Sequence, residues 1–142
     1  MGKKRIVKKA GGSNEGKQKG SSKAIKKKVT SGILYIHSTY NNTKIAFADS
    51  KGNILTWSSS GSLGFKGTKK GTPFAAAKVG EVIGEQVYAM GARDIKVSVK
   101  GVGAGRESSI RGFTSKGLNI SEIEDVTPVP HNGPRPPKPR RA

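Results

Sequence analysis

A period-two pattern of apolar and polar positions opens at residue 29. Over residues 29–39 the chain is β-branched and aromatic, with Ile33, Tyr35 and His37 alternating against Leu34 and Ile36. A run this apolar predicts a strand buried on both faces. Tyr40-Asn41-Asn42 predicts a turn, and residues 43–48 a second strand. Asp49-Ser50-Lys51-Gly52-Asn53 supplies a hairpin turn with its glycine, and residues 54–58 a third strand. Three consecutive strands with short turns predict an antiparallel meander.

The period then becomes helical. Residues 60–71 form a glycine-rich basic loop, after which Thr72 is placed to cap a helix with Pro73 at its first position. Ala76, Val79, Ile83, Val87 and Met90 fall on one stripe, and Gly91 ends the helix. Gly80 and Gly84 lie one turn apart inside it. Each costs about 1 kcal/mol relative to Ala, so the pair predicts a close backbone approach by a neighbouring element. Residues 94–100 alternate Ile95, Val97 and Val99 and predict a strand. Residues 101–105 predict a loop, and residues 107–116 a short helix with Ile110 and Phe113 inward and Gly117 as its stop. Residues 120–126 predict the last strand. The order β-β-β-α-β-α-β predicts one α/β domain, in which a three-stranded meander followed by α-β-α-β builds a mixed sheet with helices packed on it.

Charge divides the 142 residues into three parts. The chain has 27 Lys plus Arg against 9 Asp plus Glu, a net charge of +18. Residues 1–28 hold eleven of the basic residues and one acid, Glu15, amid Gly, Ser, Asn and Gln. Such a segment cannot bury enough apolar surface to offset its ordering entropy, so a disordered basic arm is expected. Residues 29–126 hold twelve basic and eight acidic residues and form the expected globular domain. Residues 127–142 hold Arg135, Lys138, Arg140 and Arg141, no acid and six prolines, which predicts an extended, stiff, basic tail. Most of the net charge therefore lies outside the core, where it opposes compaction unless a polyanion neutralises it. Nucleic acid is the expected partner.

Other classes are disfavoured. With no cysteine there is no disulfide frame, thiolate zinc site or thiol nucleophile. No apolar run approaches the roughly 18 residues of a membrane span. The basic start lacks an apolar h-region, and Ile6 breaks the myristoylation pattern after Gly2. A soluble, reducing compartment is expected. An anionic membrane surface fits poorly, because the arm lacks the leucine and aromatic face of an interfacial helix.

Two glycine-rich segments bear on chemistry. In GSLGFKGTKKG, residues 61–71, Lys66, Lys69 and Lys70 sit on a frame that lets backbone approach a phosphate, and Phe65 offers a ring for base stacking. The Walker spacing is missing. Gly101, Gly103 and Gly105 lead from a strand into a helix, but Arg106 stands where a dinucleotide fingerprint needs its third glycine. A tight structural turn is expected there, with Arg106 facing a backbone phosphate and no nucleotide cofactor. His37 and His131 are the only histidines and make a poor metal site. The β-β-β-α-β start is compatible with ribonuclease H-type nucleases, yet the first strand has no acid and Asp94 opens its strand instead of closing it. Glu122, Glu124 and Asp125 are expected to be solvated, and no catalysis is expected.

From about Gly32 onward the chain resembles the universal small-ribosomal-subunit protein eleven family, in its bacterial or organellar form. The resemblance rests on Asn41-Asn42-Thr43, on GFKGTKKGTPFAA at 64–76, on VKGVGAGRESSIRG at 99–112, and on DVTPVPHNGPRPPKPRR at 125–141. The family often has prolines where Val102 and Ala104 stand, and Pro139 interrupts the final basic run. The resemblance implies a structural protein of the small-subunit platform that bridges ribosomal RNA helices and helps form the Shine-Dalgarno cleft of messenger RNA. It implies ribosomal proteins seven and eighteen as neighbours, with initiation factor three in bacteria, no homo-oligomer and no cofactor. The location implied is a ribosome, cytoplasmic by default and organellar as the variant. It assigns ribosomal RNA contacts to Asn41, Asn42, Phe65, Lys66, Lys69, Lys70, Arg106 and Arg111, and in the tail to His131, Asn132, Arg135, Lys138, Arg140 and Arg141. A general nucleic-acid chaperone and a metal-dependent nuclease are the competing readings.

Overall fold

The structure, a computed structural model, describes residues 28–141. The expected disordered arm, Lys28 excepted, lies outside the described residues. The elements follow the expected order: β1 (Ser31–Ser38), β2 (Thr43–Asp49), β3 (Ile54–Ser59), α1 (Pro73–Met90), β4 (Asp94–Lys100), α2 (Arg106–Thr114) and β5 (Asn119–Asp125), with a 3-10 turn at Gly67–Gly71 before α1. The sheet is mixed, in the order β3-β2-β1-β4-β5. The meander pairs antiparallel, whereas β4 lies parallel to β1 and β5 parallel to β4.

Local chemistry sets the boundaries. At the β2–β3 hairpin the Asp49 carboxylate accepts from the backbone N–H of Lys51 and of Asn53. Thr72 caps α1, its hydroxyl accepting from the Ala75 N–H, and Pro73 needs no such partner. Gly91 stops α1 in the left-handed region, at φ 80°. The second helix starts one residue earlier than its pattern suggests, and Ser115 to Gly117 form a turn beyond it.

The core lies between one sheet face and the two helices. Leu34 stands between Phe47 and Val97, and Ile36 between Ile45 and Val99. Val79, Ile83 and Val87 of α1 and Phe113 of α2 close over these rows, and all four are fully buried. The helices touch backbone to backbone. A β-carbon on Gly80 would meet the Ser109 carbonyl oxygen, and one on Gly112 the Ala77 carbonyl oxygen. The approach expected from Gly80 and Gly84 is thus made by α2.

One expectation is corrected. The first strand is not buried on both faces: Leu34, Ile36 and Ser38 are buried, whereas Tyr35 and His37 are exposed. Both helices pack on the same side of the sheet, so among the described residues the other face stays open. Ile33 and Tyr35 on that open face give the run its two-sided look.

Candidate nucleic-acid interface

The strand register brings separate segments of sequence to one end of the domain. His37 pairs with Lys44 and with Lys100, and Lys44 pairs with Ser59. The carboxyl ends of β1, β3 and β4 therefore lie side by side, joined by that of β5, where Asp125 stands beside Val99. Four connections emerge there: the β1–β2 turn, the loop from β3 to α1, the turn from β4 to α2, and the tail after β5. Both helices also start at this end. Helix N-termini carry exposed N–H groups and partial positive charge, which favour anions.

Glycines let the connections interlock. A β-carbon on Gly71, at the end of the basic loop, would strike the Tyr40 carbonyl oxygen. Gly101 and Gly103 lie equally close to the backbone of Ser38 and Thr39, and Gly103 donates its N–H to the Ser38 carbonyl at 3.1 Å. The β1–β2 turn is thus held between the two glycine-rich segments. Asn42 stiffens it, with Oδ1 accepting from the Thr43 N–H while the Thr39 hydroxyl accepts from the Asn42 N–H. Asn41 is exposed at its tip.

Lys66 and Lys69 are exposed and Lys70 is half-buried, the last two within the 3-10 turn. Phe65 is half-buried and packs edge-to-face on Phe74, ring centroids 6.1 Å apart. Phe74 is the more accessible ring, and the Lys78 ammonium stands 5.6 Å from its centroid. Arg111 is exposed and paired with Glu107 at 3.0 Å. An exposed pair of this kind is weak and yields readily to a phosphate. His131, Asn132, Arg135, Lys138, Arg140 and Arg141 are all exposed along an extended tail, which bends at Asn132 where φ is 58°.

Arg106 differs from its expected orientation. Its guanidinium donates to the Gly101 carbonyl, the Thr127 hydroxyl and the Asp125 carboxylate. The side chain ties the β4–α2 turn to the root of the tail instead of projecting from it. Asp125, expected to be simply solvated, also accepts from the Thr127 N–H and hydroxyl. These Thr127 hydrogen bonds, followed by the Arg106 contact, hold the Asp125 carboxyl at a pKa of about 2, below its ordinary 3.8. The anchor spans about twenty residues of sequence, and no local pattern announces it.

The acids are dispersed. Asp49 and Asp94 lie at the opposite end of the sheet from Asp125, and among the described residues no group of three His, Asp or Glu side chains is placed to hold a metal. Residues 32–141 match the family model for ribosomal protein S11.

Proposed function

The chain belongs to the ribosomal protein S11 family, and from that premise we propose that the interlocked end of the domain is its ribosomal RNA interface on the small-subunit platform. Members of this family are structural components of the small ribosomal subunit, so the chain is an RNA-binding ribosomal protein that works among other ribosomal proteins and not a catalyst. Its place is a ribosome, of the cytoplasm or of an organelle.

The observation that carries the proposal is the convergence of Asn41, Lys66, Lys69, the two helix N-termini and the root of the basic tail on one end of the sheet. Phosphate and sugar contacts position a protein on RNA, and a folded RNA is read mainly by shape. Exposed lysines on a glycine frame, held by two packed turns, suit that task. Arg111 reaches a phosphate by leaving Glu107. Arg106 acts differently: it fixes the direction in which the tail leaves, and so where His131, Asn132 and the four basic residues beyond them meet RNA. The tail is long enough to reach a second RNA helix, which makes the protein a bridge. On this reading the bridge borders the Shine-Dalgarno cleft, with ribosomal proteins seven and eighteen, and initiation factor three in bacteria, as neighbours.

Chemical footprinting of small-subunit ribosomal RNA with the full chain tests this. Protections are expected in at least two separate helices of the platform, and the more distant set is expected to vanish when residues 128–142 are removed. Protection of one continuous helix, unchanged by that truncation, would contradict the bridging role.

A further inference from the structure

The sheet face that neither helix covers has no task in this scheme, yet its side chains are not those of an idle surface. Strand register puts Trp57, Ala46 and Tyr35 in one row across β3, β2 and β1. Trp57 is 65% exposed and Tyr35 41%, large values for aromatic rings in a folded sheet. The small Ala46 between them leaves a shallow trough. Adjacent strands lie about 4.8 Å apart, so the two rings are rooted about 10 Å apart on one flat support.

The next row toward the RNA-facing end consists of Lys44, His37 and Lys100, all exposed. The ion pairs among the described residues use Lys78, Lys96, Arg106, Arg111 and Lys116, and leave Lys44 and Lys100 out. This row continues into the β1–β2 and β4–α2 turns, and hence into the proposed interface. Among the described residues three acids share the open face: Glu124 stands in the aromatic row, two strands from Tyr35 on the side away from Trp57, Glu122 is held by Lys96 at 3.4 Å, and Asp94 lies at the far end of β4 from Lys100.

We infer that this open face binds unpaired RNA, with bases stacking on Tyr35 and Trp57 and phosphates meeting Lys44, His37 and Lys100. The inference rests on the ribosomal RNA reading and adds a second surface with a different preference. Stacking on a protein ring needs a base whose face is free, which a duplex does not offer. Two lysine cations flanking an imidazole, beside a row of rings, match the alternation of phosphate and base in a single strand. A protein partner would instead have to bring acids to three clustered basic groups and to cover two rings with apolar side chains.

Trp57 is the only tryptophan of the chain, so its fluorescence reports on this face alone. The full chain is titrated with an oligouridylate of about ten nucleotides, within the usual single-strand site size, and with a duplex of equal length. The single strand is expected to quench Trp57, and the duplex to bind without quenching. Affinity for labelled oligouridylate is expected to fall about ten-fold or more in Tyr35→Ala and in Trp57→Ala, and to be largely kept in Trp57→Phe. Both positions are exposed, and circular dichroism of each variant confirms the fold. Oligouridylate binding without quenching, and indifferent to these variants, would overturn the inference while leaving the ribosomal RNA reading intact. Failure to bind either RNA would overturn that reading itself. Trp57 shielded from acrylamide in assembled small subunits, yet insensitive to oligouridylate, would assign the face to a protein neighbour and also overturn the inference.

Discussion

The carbonyl oxygen of Ser109 on α2 occupies the space that a β-carbon on Gly80 of α1 would fill. The obstacle is backbone, held in the middle of a helix, and cannot swing aside as the end of a long side chain can. Gly80→Ala is therefore expected to destabilise the protein by about 1–3 kcal/mol through overpacking, although Ala alone favours a helix by about 1 kcal/mol. Denaturant unfolding checks it. A gain in stability would mean that the helices are not in backbone contact.

Loop and core substitutions are expected to separate binding from folding. Replacing Lys66, Lys69 and Lys70 by Ala touches no core side chain, and such surface changes usually stay within about 0.5 kcal/mol. RNA affinity is expected to fall, and the slope of log K against log salt to become shallower by about 0.7–0.9 for each phosphate that the variant no longer neutralises. Ile83 is fully buried, and Ile83→Ala is expected to cost about 2–5 kcal/mol. Its RNA affinity, measured where the variant is folded, is expected to be close to that of the parent. Unfolding of the lysine variant, or an unchanged salt slope, would contradict the assignment of this loop to RNA.

The strands, the helix cap at Thr72 and the close helix approach are all legible in the sequence, because each depends on residues near one another in the chain. Gly80 and Gly84 one turn apart carry enough local cost to imply a partner. Three features are not legible. The exposed side of β1 depends on both helices crossing the same face, which a strand's own residues do not encode. Arg106 turns inward because Asp125 at the end of β5 and Thr127 just after it arrive there, and nothing near Arg106 in the sequence marks them. The gathering of Asn41, Lys66 and the tail at one end follows from the strand order. The individual residues are legible as basic and glycine-rich, but their common location needs the register.

The tail anchor has a pH signature. Asp125 has a folded-state pKa of about 2 against an ordinary value of 3.8. A depressed carboxylate contributes its anchoring in full above the ordinary value and loses it as pH falls through the folded one. The anchor is therefore expected to be constant above about pH 5 and to weaken on acidification from there toward pH 2. Titration of the Asp125 carboxyl carbon by nuclear magnetic resonance checks this. Thr127→Val, which removes the hydroxyl donor, is expected to move the midpoint upward, and Asp125→Asn to raise the mobility of the tail at neutral pH. A midpoint near 3.8 in the parent would mean that the anchor is not formed in solution.

Lys116 and Glu85 link the end of α2 to α1, at 2.8 Å. The hydrogen bond to Glu85 raises the Lys116 pKa. Both side chains are accessible, so Lys116→Ala is expected to leave stability nearly unchanged. It is expected to leave RNA binding unaltered, because the pair is remote from the interlocked end. Gel-shift titration beside thermal melting checks both halves.

The absence of cysteine allows a direct test of which end of the domain meets ribosomal RNA. Single cysteines at Asn41 and Thr68, at the end where the connections converge, and at Ser50, in the hairpin at the opposite end, can each carry a tethered iron chelate without competing thiols. In small subunits reconstituted with these three proteins, hydroxyl radicals are expected to cut ribosomal RNA strongly from positions 41 and 68 and weakly from position 50. Strong cleavage from position 50, with little from the other two, would contradict the orientation on which the proposed function depends.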